Sequence, residues 1–182
     1  MDHQSSDSSL ASSISRSWRN QSKEIARYWE LYGGWRALAA SPYAHLSVVF
    51  GIVTQCRHSK AFDPAAATLS VIPNVLGFTV GALAIILAFS SSDFFTYLID
   101  GGKEKSLFMK TVANFVHFIV VQIFSILLAI LCSAHPSNIL KILTSIILTY
   151  AILTTLTTVI QLFQMATVFN ASRQLKAPED GE

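Results

Sequence analysis

Histidines, cysteines and a few carboxylates carry what reactive chemistry this chain has, and their spacing limits what they can do. His45 and His117 each fall several residues into a long apolar stretch. Two imidazoles sharing one layer of a membrane bundle would relay protons or ligate haem iron, and ionisable groups inside a membrane are suspects for function by default. The plainer alternative is a neutral imidazole bonded to a backbone carbonyl or to Asn114. Cys56 and His58, with Cys132 and His135, form Cys-x-His and Cys-x-x-His pairs at the ends of two apolar stretches. Four such ligands could hold zinc, although both spacings are short and common. Cys56 and Cys132 could equally form a disulfide in an oxidising outer compartment, provided that the sulfur vectors meet.

The carboxylates say less. Asp93 and Asp100 sit in a polar loop, where two acids make no acid–base pair unless they converge in a water-poor pocket. None of the apolar stretches contains Asp or Glu, which weakens an ion-coupled transporter. There is no nucleotide-binding glycine loop, no HExxH, no nucleophile elbow and no CxxC. The chain therefore reads as a non-enzyme, with no cofactor and no resident metal expected.

The elements that must position these residues are membrane helices. Of 182 residues, 52% are hydrophobic and only 13% charged, so the chain departs from soluble globular composition. Nothing near Met1 has the basic region and apolar run of a cleaved signal, so none is expected. A net charge of +2, with the basic excess gathered before residue 37, gives no case for nucleic acid.

Residues 1–13 are serine-rich and offer little to bury, so they read as a disordered tail. Over 14–34 the helical projection puts Arg16, Arg19, Lys23 and Arg27 on one face and Trp18, Ile25, Tyr28, Trp29 and Tyr32 roughly opposite. This is an amphipathic helix suited to an anionic cytoplasmic lipid surface, and Gly33-Gly34 ends it. The remainder, 35–171, is expected to be a transmembrane domain with spans near 37–56, 64–90, 111–133 and 139–163, followed by a cytoplasmic tail over 172–182. Twenty uncharged residues at about 1.5 Å each cover a hydrocarbon core of roughly 30 Å. Asp63-Pro64 marks the second start, and Pro136 or Ser137 the fourth.

Two spans carry stripes of small residues at alternating steps of three and four. Asn74, Gly77, Gly81, Ala84 and Ala88 form one, with the GxxxG spacing at Gly77 and Gly81; Ala37, Ala40, Ala44, Ser47 and Gly51 form the other. Such seams let membrane helices approach closely, and the likeness of the two predicts that the first two spans pair as an antiparallel hairpin. The short connection before residue 139 predicts a second hairpin. Pro42 is expected to kink the first span, and Pro73 to break the second near mid-membrane, beside Asn74. In the third span Thr111, Asn114, Gln122, Ser125, Ala129 and Cys132 share one sector, which must face protein or water. The fourth is rich in threonines, whose hydroxyls can bond back to their own helix.

Outside the spans, Lys and Arg number ten on the side of the amino terminus and three on the other, which predicts that both termini are cytoplasmic. The fold class is thus an all-α integral membrane protein with four transmembrane helices in two antiparallel hairpins, of a style found in bacterial inner (plasma) membranes. Its expected work is helix–helix association in the bilayer, with itself or with another membrane protein. Two alternatives are a homo-oligomeric channel lined by Pro73-Asn74 and the Asn114, Gln122 and Ser125 face, and a redox or metal protein using His45 and His117 or the Cys56, His58, Cys132 and His135 set.

Overall fold

A computed structural model describes residues 3–58, 62–88, 106–135 and 137–174 of the chain. Those residues are all-helical, with no strand among them. In chain order the helices are α1 (His3–Tyr32), α2 (Gly34–Ala40), α3 (Pro42–His58), α4 (Pro64–Ala88), α5 (Leu107–Ala134) and α6 (Asn138–Gln174).

Local chemistry sets most of the boundaries. Gly33 and Gly34 take positive φ values of 103° and 62°, the left-handed backbone that turns the chain from α1 into α2. Ser41 is extended, as a residue before proline prefers, so α2 ends there and α3 starts at Pro42. The two helices meet at 59°, which makes the expected first span a bent pair rather than one kinked rod. At the start of α4 an Asp63 Oδ1 accepts from the amides of Ala65 at 2.9 Å and Ala66 at 3.4 Å, with Pro64 in the first helical position. Ser106 Oγ caps α5 by accepting from Met109 N at 3.3 Å, and Ser137 Oγ caps α6 through Leu140 N at 3.2 Å.

Several features of the helices differ from the sequence reading. Helix α1 begins at His3, inside the segment expected to be a disordered tail. Serine costs only a few tenths of a kcal/mol more than alanine in a helix, so a helix nucleated downstream can propagate through it. Pro73 does not interrupt α4: the residue is exposed and its ring removes a single ladder bond from a helix that continues on both sides. Capped by Ser106, α5 starts four residues before the expected Thr111. The loop with Asp93 and Asp100, and the tail beyond Gln174, lie outside the described residues.

Many large apolar side chains face outward, unlike those of a water-soluble protein, although Phe115, Phe118 and Leu128 of α5 are buried. On α5, Val120, Ile123, Phe124, Leu127, Ile130 and Leu131 are exposed, while Gln122, Ser125 and Ala129 are buried. Large apolar residues outside and small or polar residues inside are what lipid as solvent selects. Helices α4, α5 and the long α6 are each long and apolar enough to cross a bilayer, and the bent α2–α3 pair brings the number to as many as four. The chain therefore has the make-up of a multi-pass membrane protein.

Helix α4 packs on α5 and α6, and α5 packs on α6, giving a three-helix core. Its layers are Ala82, Ile86, Phe108 and Phe115 at one level, Ile72, Leu148 and Ala151 at another, and Ala65, Ala129 and Cys132 at a third. Helix α3 stands against α6 instead of α4, so the expected hairpin of the first two spans does not form. The reason is Gly51: a Cβ built there would meet Ile146 Cγ1 at 2.6 Å and the Ile146 backbone at 2.7 Å, so α3 and α6 cross nearly backbone to backbone. On either side of that line a cleft of about 480 Å³ separates α3 from its neighbours, one toward α4 past Phe50 and Val71, the other toward α5 past Val48 and Phe124.

Candidate functional site

The densest array of polar and aromatic side chains joins α1 to the core. Tyr32, at the end of α1, stacks on the His117 ring of α5 with centroids 3.8 Å apart and planes 18° apart. His117 Nε2 lies 3.2 Å from the hydroxyl of Tyr150 on α6, and that hydroxyl lies 3.4 Å from the Tyr32 hydroxyl. Three elements thus meet in one phenol–phenol–imidazole chain. Trp29 stacks on Tyr32 at 5.8 Å and meets Trp35 of α2 edge-on at 5.0 Å, completing an aromatic collar. His117 is only 4% exposed, and its Nδ1 has no hydrogen-bond partner.

The chemistry of this cluster is attachment. A phenol donates well to a neutral imidazole nitrogen, and a chain of such bonds inside low dielectric is stiffer than its members alone. The geometry ties the end of α1 to α5 and α6. Beside it, burial pushes the Tyr28 phenol above its ordinary value, and the neighbouring Tyr32 adds to the shift.

Tyr32 and Tyr150 were not legible as partners of His117. The expected backbone or Asn114 bond does not form; the only signals were the single tyrosine of the fourth span and a tyrosine ending the aromatic face of α1. His45 does not join His117. It is exposed, with Nδ1 2.9 Å from the Ser41 carbonyl of its own helix turn, so the two imidazoles serve different places. Cys56 is exposed and Cys132 buried, both as free thiols, and they do not form the disulfide considered from the sequence. His135 is exposed, the His58 side chain is outside the described set, and no group of three or more potential metal ligands occurs among the described residues.

The polar sector of α5 does face protein. Gln122 Nε2 donates to Thr79 Oγ1 of α4 at 3.0 Å, both side chains being fully buried, while Gln122 Oε1 and Ser125 Oγ have no partner. Thr111, Ala129 and Cys132 are buried with them, and Asn114 is half-buried. Pro73 and Asn74 are exposed on the opposite side of α4, so the two groups expected to line one channel lie on different faces. Several α6 threonines, including Thr149, Thr154, Thr155 and Thr158, bond back to their own helix, with Thr158 Oγ1 3.1 Å from Thr154 O, whereas the buried Thr144 and Thr157 hydroxyls have no partner among the described residues.

The two small-residue stripes have different fates. On α3, Ser47 and Gly51 are buried and Ala44 is half-buried, whereas on α2, beyond the bend at Ser41, Ala37 is half-buried and Ala40 exposed. On α4, Asn74, Gly77, Gly81, Ala84 and Ala88 are all exposed, and a Cβ at Gly77 or Gly81 would meet nothing within 4 Å among the described residues. The Asn74 amide reaches only the Ser70 carbonyl of its own helix, at 3.4 Å. Of the proposed lipid-facing set, Arg16, Trp18, Arg19, Lys23 and Arg27 are exposed, but Trp29 is half-buried in the collar.

In comparison with known proteins, the chain matches no family model, no curated protein and no solved structure.

Proposed function

We propose that this chain is a non-enzymatic, four-span membrane protein that works by helix–helix association in the bilayer, with the outer face of α4 as the contact. The observation that carries the reading is the smooth seam from Asn74 to Ala88, which no described residue covers. Its opposite face, with Thr79, Ala82 and Ile86, is already buried in the bundle. Small residues turned outward leave a groove that lipid tails fill poorly, while a second helix with the same seam approaches closely and gains packing contacts. Asn74 stands two residues from the centre of α4, where a carboxamide in hydrocarbon gains by hydrogen bonding across helices rather than weakly to its own. The partner is a second copy of this chain or another membrane protein with a small-residue face.

The topology that goes with this reading counts the α2–α3 pair as the first span and puts both termini on the cytoplasmic side of a bacterial inner membrane, by the bias of Lys and Arg. Subunit counting by single-molecule photobleaching in lipid bilayers tests the association. The native chain is expected as oligomers, and Gly77→Leu with Gly81→Leu as monomers that remain folded. If the double variant keeps the native subunit number and captures the same membrane partners, the seam is not the contact.

A further inference from the structure

The apolar stripe of α1 is divided in use. Trp29 and Tyr32, at its end, are seated in the collar around His117. Ile14, Trp18 and Ile25 continue the same stripe, all within about 40° of Trp18 at roughly 100° per residue. They are 56%, 69% and 61% exposed. The other side of this half carries Arg16, Arg19 and Lys23 against Glu24, all exposed, a net charge of +2 between Ile14 and Ile25. A helix is stiff over such a length, so the stacked Tyr32 ring fixes not only where α1 ends but how the whole helix is rotated.

We infer that the Ile14–Ile25 half of α1 lies on the anionic lipid surface of the membrane that the bundle spans, and that the Tyr32–His117–Tyr150 clamp sets its rotation so that Ile14, Trp18 and Ile25 face the lipid. Two observations select this occupant. The uncovered stripe is continuous with one already seated on a membrane bundle, which keeps the free half close to the bilayer. Its charge complements anionic headgroups, and indole and isoleucine over a basic face are the composition of interfacial helices. The clamp also lowers the ordering cost of seating, because one end of the helix is already held.

Nitroxide labels on the full chain in nanodiscs test this, with one protein per disc and Cys56→Ser to remove the exposed thiol. Ser22→Cys puts a label on the flank of the stripe; Asn20→Cys puts one on the far side. In phosphatidylglycerol-containing discs the Ser22 label is expected to relax with oxygen and resist an aqueous nickel chelate, and the Asn20 label to do the reverse. In pure phosphatidylcholine the seated-to-free ratio should fall about 25-fold, from two net charges at about fivefold each. Trp18→Ser with Ile25→Ser, both exposed, should release the arm. Tyr32→Ala should make the two labels alike although neither touches Tyr32. Equal nickel access at both labels in anionic discs overturns the proposal. So does protection that persists in neutral discs, survives loss of Trp18 and Ile25, or appears only with a second copy or an added soluble protein. Unchanged labels in Tyr32→Ala overturn the role of the clamp.

Discussion

One methyl group at Gly51 separates internal from external packing. In Gly51→Ala the new Cβ would stand 2.6 Å from Ile146 Cγ1 and 2.7 Å from the Ile146 Cα and amide nitrogen. The side-chain atom can turn away, but the backbone atoms cannot, and ordinary carbon contacts lie near 3.5–4.0 Å. Helix α3 must therefore retreat from α6 by about 1 Å along the line that joins them, opening the clefts on both sides. Overpacking of this kind costs about 1–3 kcal/mol, against a gain of up to about 1 kcal/mol from replacing a helical glycine. The net expectation is a loss of about 1–2 kcal/mol, a factor of roughly 5–30 in the folded population. Gly77→Ala is the matched control, since nothing lies within 4 Å of its Cβ, and the isolated subunit should be unchanged or slightly more stable. Equilibrium unfolding in mixed micelles, followed by tryptophan fluorescence, reads both. A Gly51→Ala chain as stable as the native one would refute the backbone-to-backbone crossing, and with it the assignment of the α3 seam to α6.

The remaining expectations concern the polar interior and the thiols. Tyr150→Phe removes both hydroxyl contacts and leaves the His117 ring without a hydrogen bond among the described residues; a loss of about 1–3 kcal/mol should appear in the same unfolding assay. Gln122→Leu and Thr79→Val should each destabilise the α4–α5 pair, and a double-mutant cycle should give a coupling of about 0.6–1.7 kcal/mol; zero coupling would deny their 3.0 Å bond. Maleimide should modify Cys56 in the folded protein and Cys132 only after unfolding, read as a mass shift. An intramolecular disulfide under mild oxidation would contradict that placement.

Several features of this protein could be read from the chain alone because they are local. The apolar lengths of α4, α5 and α6, the Asp63-Pro64 start, the turn at Gly33-Gly34 and the two-sided character of α1 each depend on a few consecutive residues and on helical period. The inward sector of α5 was legible for the same reason: Gln122 and Ser125 cannot face hydrocarbon without cost, whatever covers them. Periodicity names a face, however, and not its neighbour. The stripes ending at Gly51 and Ala88 repeat in the same way, yet one is pressed on Ile146 and the other is left uncovered, because α3 comes to rest on α6 rather than on the helix that follows it. Likewise His117 found its partners in Tyr32 and Tyr150, 85 and 33 positions away in the chain, a meeting that only the packing of α1 and α6 around α5 decides. What the residues determine by themselves is which surfaces need covering; which helix covers them is settled when all the spans compete for the same core.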